Sequence, residues 1–179
     1  MGQLTDSIEH ETRPLKIRPF IAPMIEMTSI KGSSGFSLGT YLGAMINDHL
    51  QVGAFIQVYN GDFMRRVIFP NSFILDYSYA GLFANQSIYR QGNINILLGM
   101  KVASGEASWS QAETLDILDT DHFIALNPNL GIDYRFSRLT ILNVSLGYRI
   151  VSGLDLPELK GSDLNNVSLD ASLKLGWFK

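Results

Sequence analysis

From Phe36 to Ile46 the chain alternates without a break. Phe36, Leu38, Thr40, Leu42, Ala44 and Ile46 fall on one face; Ser37, Gly39, Tyr41, Gly43 and Met45 fall on the other. A period of two is that of a β-strand with unlike faces. The second face is built largely from small residues, not from the Lys and Glu of a surface washed by water. This combination predicts a barrel with its apolar face toward lipid and its small, polar face inward.

The same rhythm recurs in seven other segments: 16–28, 50–59, 73–84, 94–103, 123–136, 139–151 and 167–177. Each is long enough to cross a bilayer when tilted. The chain therefore reads as all-β, an eight-stranded antiparallel up-and-down transmembrane β-barrel over residues 15–179. Residues 1–14 read as a flexible polar lead-in ending at Pro14. In the 73–84 segment the apolar set is Phe73, Leu75, Tyr77, Tyr79 and Phe83, which predicts that these residues face lipid. Pro19 and Pro23 fall inside the first strand, where each removes a ladder donor, so a bulge or an open seam is expected there.

Connections at 47–49, 85–93 and 137–138 read as short, and those at 60–72, 104–121 and 152–166 as long. Short turns at one end and long loops at the other are the outer-membrane pattern. Tracing the strands places Phe83, Tyr134, Phe136 and Trp177 near the short-turn end, and Phe36 and Phe73 near the long-loop end. These form the expected aromatic girdle at the two headgroup levels. The opposite face carries Asp76, Lys101, Asp133, Arg135, Arg149, Asp170 and Lys174, along with Arg18 and Glu26. Asp76 with Lys101, and Arg149 with Asp170, sit at similar heights on neighbouring strands. Buried charges need partners, and eight strands enclose just enough room for side chains. A filled interior is expected, not a pore.

Composition narrows the function classes. Charged residues make up 17% of the chain, below the usual quarter, while hydrophobic residues reach 46%. No run of eighteen apolar residues offers a transmembrane helix. The net charge of −3, without a basic arm, gives no footprint for nucleic acid. With no Cys there are no disulfides, thiol chemistry or thiolate metal sites. Nothing in the sequence calls for a cofactor or a metal. Met1-Gly2-Gln3 opens a polar segment and is read as standing where an export signal was removed.

On these features the chain resembles the small eight-stranded outer-membrane β-barrel proteins of Gram-negative bacteria, over about residues 15–179. Such proteins typically end in an alternating strand closed by an aromatic. Leu169, Ala171, Leu173, Leu175 and Trp177 match that rhythm, while Phe178 and Lys179 extend past it. The resemblance implies a place in the outer membrane and leaves the activity open, because a fold does not fix a function.

Some proteins of this shape modify lipids, which directs attention to the histidines. His10 lies in the lead-in and His49 in a turn, so His122 is the weak catalytic candidate, with Ser108 and Ser110 in the preceding segment. Glu106, Glu113, Asp116, Asp119 and Asp121 lack the spacing of a calcium loop and read as solvated charge. In Phe63-Met64-Arg65-Arg66-Val67-Ile68-Phe69, the two arginines are a candidate surface contact, either for lipopolysaccharide phosphates or for an envelope protein. The leading expectation is a monomeric barrel acting as a structural, anchoring or surface-recognition element through its longer loops. The alternatives are an outer-leaflet lipid-modifying enzyme, a soluble lipid-binding barrel with apolar faces inward, and a subunit of an envelope secretion complex.

Overall fold

The alternating segments pair in sequence order, each beside the next, and the last returns to the first. The computed structural model describes residues 14–30, 33–59, 73–111, 117–157 and 159–178. The strands are β1 (Ile17–Ile30), β2 (Ser33–Ile46), β3 (Leu50–Tyr59), β4 (Phe73–Gln91), β5 (Ile94–Gln111), β6 (Ile117–Arg135), β7 (Thr140–Ser152), β8 (Asp155–Leu156), β9 (Leu159–Lys160) and β10 (Asn166–Gly176). β1–β7 and β10 form a closed antiparallel barrel, and β8 and β9 form a separate small hairpin. Closure pairs β1 with both β2 and β10.

The prolines are absorbed at one seam. The β1–β2 register runs unbroken from Ile17↔Ile46 to Ile30↔Ser33. The β1–β10 ladder skips Ala22 and Pro23 between Ile21↔Leu175 and Met24↔Ser172. Pro19 and Pro23 are exposed on the outer face, so the missing donors interrupt one ladder locally while the barrel stays closed.

The outer surface is a belt of exposed Leu, Ile and Val, including Leu42, Leu82, Leu98, Leu126, Leu146 and Leu169. In β2, Leu38 and Leu42 point outward while Tyr41 and Met45 are buried. This orientation is the opposite of a soluble lipid-carrying barrel, whose apolar faces would line the interior.

β4 corrects the sequence reading. Leu75, Tyr77, Tyr79 and Phe83 are buried in the lumen, with Phe83 only 5% exposed, while Leu82 is 67% exposed on the outside. Phe83 is therefore not a girdle residue, and Asp76 is exposed on the outer face instead of lining the interior. The physical reason is that this lumen is partly filled by aromatic rings. Tyr77 and Tyr79 bring hydroxyls that the buried charges use, so the more apolar face of β4 is the inner one.

Two expected connections are largely strand. β4 continues to Gln91, leaving a tight turn at Gly92 and Asn93, and Gly92 has φ +57°. β5 runs on to Gln111 and β6 begins at Ile117. These stretches carry little alternation in hydropathy because they extend the wall beyond the apolar belt, where the outer face turns polar while Ala107 and Trp109 still face inward. β4–β6 are 18–19 residues long against 10 for β3, so one side of the barrel stands taller. The turn at 47–49 does hold left-handed backbone, with φ 49° at Asn47 and 63° at Asp48.

Gly43 and Gly53 face each other across β2 and β3 and make room for the inward Phe83. A Cβ on Gly53 would fall 2.5 Å from Gly43 Cα and 2.8 Å from the Phe83 ring. Gly53→Val is expected to destabilise the barrel by about 1–3 kcal/mol through overpacking. The shift in the urea unfolding midpoint of micelle-refolded protein measures it.

Candidate functional site: the filled lumen and its two mouths

The inward faces of β1, β5, β7 and β10 each contribute a charge at mid-barrel. Lys101 Nζ donates to Asp170 Oδ2 at 2.8 Å, to Glu26 Oε2 at 3.3 Å and to the Tyr41 hydroxyl at 3.4 Å. Glu26 and Asp170 are direct cross-strand partners, so Lys101 bridges two neighbouring carboxylates. Arg149 Nη1 donates to Glu26 Oε1 at 3.0 Å and to the Tyr77 hydroxyl at 3.1 Å, and Nη2 donates to Thr28 Oγ1 at 3.2 Å. The Tyr79 hydroxyl donates to Glu26 Oε1 at 3.1 Å. Nearer the short turns, Lys174 Nζ donates to Asp133 Oδ1 and Gln51 Oε1, both at 2.7 Å. Gln51 Nε2 and Asn143 Nδ2 each donate to Asp133 at 2.8 Å.

The fully buried charges are Glu26, Asp133 and Asp170 against Lys101, Arg149 and Lys174, so the lumen interior is neutral. Desolvating an ion costs several kcal/mol unless partners compensate, and here every one has them. Between the two clusters lies a cavity of about 20 Å³, lined by residues including Asn85, Lys101, Asp170, Ser172 and Lys174. That is room for roughly one water molecule. Among the described residues the interior is occupied by paired side chains.

Both mouths are covered. At the long-loop end Leu154, Leu156, Leu159 and Leu164 are buried against Ile30, Leu75, Trp109 and Phe123. They belong to the β8–β9 hairpin region and a single 3-10 turn, Gly161–Leu164. The cap is tied down at several points. Trp109 Nε1 donates to Pro157 O at 3.2 Å, Arg149 Nε donates to Leu164 O at 3.1 Å, and the Val151 amide donates to Asn165 Oδ1 at 2.6 Å. At the short-turn end Phe178, 1% exposed, packs on Phe20 with ring centroids 6.3 Å apart, and Phe20 packs on Phe83 at the same distance.

Asp121 lies three residues beyond Ile124, the last apolar belt residue of β6 among the described side chains. Its carboxylate accepts the Asp155 amide at 2.7 Å and the His122 amide at 2.8 Å. These amide donors stabilise the ionised form and hold its pKa below the ordinary aspartate value. A depressed carboxylate contributes its tether above that ordinary value and loses it as pH falls through the folded value. The Asp155 amide of Asp121→Ala is accordingly expected to exchange hydrogen faster than the parent's at neutral pH. The two rates should converge at acidic pH.

The other predicted residues fall as follows. Lys101, Asp133, Arg149, Asp170 and Lys174 are buried in the lumen, and Arg135 is half-exposed at its short-turn mouth. The partners differ from those expected: Lys101 meets Glu26 and Asp170, with Asp76 on the far side of the wall, and Arg149 meets Glu26. Glu26 is thus the hub that the sequence placed inward without marking its importance. Tyr134, Phe136 and Trp177 are exposed outward near the short turns, and Phe36 is half-buried on the outer face near the long loops. The Phe73 side chain, Arg65, Arg66, Glu113 and Asp116 lie outside the described residues. His122 is 78% exposed on the outer face, with Nδ1 4.0 Å from Glu106 Oε2. No Ser or Thr hydroxyl donates to its imidazole among the described residues, so the nucleophile arm of a triad is not assembled there.

No protein-family model and no curated protein matches the chain. Solved structures do match. Neisserial surface protein A (NspA) aligns at 16% identity with a TM-score of 0.65, covering 91% of this chain and 99% of that one. Ail, the attachment invasion locus protein of Yersinia pestis, aligns at 13% identity and TM-score 0.52, covering 90% and 97%. Ail in complex with the heparin analogue sucrose octasulfate aligns at TM-score 0.51. With eight antiparallel strands closed into one barrel, the chain has the fold of the small outer-membrane β-barrels of Gram-negative bacteria.

Proposed function

We propose that the protein is an integral outer-membrane barrel with a sealed interior, serving as a monomeric structural, anchoring or surface-recognition element. The observation that carries this reading is the pairing of an outward apolar belt with a lumen whose buried charges sum to zero. The first feature suits lipid, and the second suits a plug. The taller β4–β6 wall stands above the belt as a rigid platform for the β5–β6 connection. Recognition then belongs to the long-loop end, not to the lumen.

The lipid or polyanion partner of that end would be met by Arg65 and Arg66, whose guanidiniums suit lipopolysaccharide phosphates or a sulfated sugar such as the one bound by Ail. Arg65→Ala with Arg66→Ala is expected to weaken lipopolysaccharide binding by about ten-fold at low salt. Equal binding by parent and variant would remove this contact.

Extraction only with detergent, and a heat-dependent shift on a denaturing gel, test the membrane reading. Solubility without detergent overturns it. Large, stable channels in a planar bilayer would overturn the plug. The enzyme reading predicts that His122→Ala abolishes lipid turnover by membranes carrying the protein; unchanged turnover eliminates it.

A further inference from the structure

The charge balance of the lumen fails at its short-turn mouth. Arg18 on β1, Arg90 on β4 and Arg135 on β6 converge there. Arg90 follows a register shift between Ser87 and Tyr89 that sets it opposite the inward Asn95. The three guanidiniums are close enough to act on one another electrostatically, and Arg138 follows in the β6–β7 turn. Two carboxylates face this group. Asp48 pairs with Arg18 and lies 3.9 Å from Arg90. Asp133 is held by Lys174, Gln51 and Asn143. No carboxylate of the described residues pairs directly with Arg135 or Arg138, and Asp133, which acts on Arg135 from a distance, is already neutralised by Lys174.

Beside these two arginines opens a cleft of about 520 Å³, lined by Asn93, Arg135, Phe136, Ser137, Arg138 and Phe178. Phe136 is 62% exposed and meets Tyr134 edge to face, with ring centroids 4.8 Å apart. Rings at the edge of an apolar belt mark the headgroup level. The cleft therefore sets excess positive charge at headgroup height and an aromatic wall leading down to the belt. Guanidinium forks match phosphate oxygens in shape and charge.

We infer that this cleft binds the phosphate of an anionic phospholipid in the leaflet on the short-turn side, with Arg135 and Arg138 as its ligands. The inference rests on the membrane-spanning reading. The phosphate lies between the two guanidiniums, and the acyl chains run along Phe136 and Tyr134 onto the belt.

Native mass spectrometry of the full chain, released from detergent with phosphatidylglycerol, phosphatidylcholine or inorganic phosphate, tests it. Phosphatidylglycerol is expected to be retained in preference to phosphatidylcholine, by about five-fold per guanidinium. Arg135→Gln with Arg138→Gln abolishes the preference, while Lys160→Gln at the opposite mouth leaves it intact. The heat-dependent gel shift verifies that each variant is folded. Equal retention of the two lipids, or a preference surviving in the double variant, overturns the inference. Displacement of phosphatidylglycerol by an equal concentration of inorganic phosphate overturns the lipid as its source. A chain that needs detergent yet shows no lipid preference refutes this site alone; a chain soluble without detergent refutes the membrane reading beneath it.

Discussion

Glu26→Gln is expected to destabilise the folded barrel by about 3–5 kcal/mol, the typical loss when one partner of a buried ion pair is removed. The substitution keeps the shape and deletes one charge. Lys101 then keeps only Asp170 and Arg149 loses its carboxylate partner, leaving an uncompensated positive charge inside the lumen. Urea unfolding of the refolded barrel, followed by tryptophan fluorescence, measures the loss. Adding Arg149→Met restores neutrality and leaves the Lys101–Asp170 pair intact. The double variant should therefore lose less than the two single losses added together, as coupled residues do. Strict additivity would mean that Glu26 and Arg149 do not compensate each other.

Phe83→Ala carries the second large effect, about 3–5 kcal/mol, because it empties a packed site in the lumen. Its ring lies 5.0 Å from Tyr41 and 6.3 Å from Phe20, centroid to centroid. The neighbouring Leu82 makes the contrast. Leu82→Ala, on the lipid side, should be much milder, whereas Leu82→Arg should cost about 2–4 kcal/mol near the bilayer midplane. A mild Phe83→Ala beside a severe Leu82→Ala would reverse the orientation of β4.

That strand shows how far the sequence reaches. Period two separates two faces but does not say which one is inside. In β2, β3, β5, β6, β7 and β10 the inner set is less apolar than the outer one, with Gly39, Gly43, Asn95 and Ser172 among rings such as Phe55 and Tyr59, so hydropathy assigns the face correctly. In β4 the inner set is Leu75, Tyr77, Tyr79 and Phe83, and hydropathy points the wrong way. The signal that resolves it is non-local: the Gly43–Gly53 pair needs a large neighbour, and Arg149 and Glu26 need hydroxyl partners. Strand ends were hard to read for a related reason. Residues 85–91 and 104–111 leave the apolar belt, so the contrast that reveals a strand fades there while the backbone ladder continues. Apart from Asp76, which β4 carries to the outer face, the charged set is legible as inward, but its pairing is not, because Glu26 meets Lys101 across the lumen between strands that are not neighbours.

The central claim is that this surface of leucines and isoleucines faces hydrocarbon. The chain has no Cys, so a single introduced cysteine carries a spin label without background. Labels at Leu42, Leu82, Leu98, Leu146 and Leu169 in a reconstituted bilayer should collide more with oxygen, which dissolves in lipid, than with a water-soluble nickel chelate. Greater accessibility to the nickel chelate at these positions would place the belt in water and contradict the account.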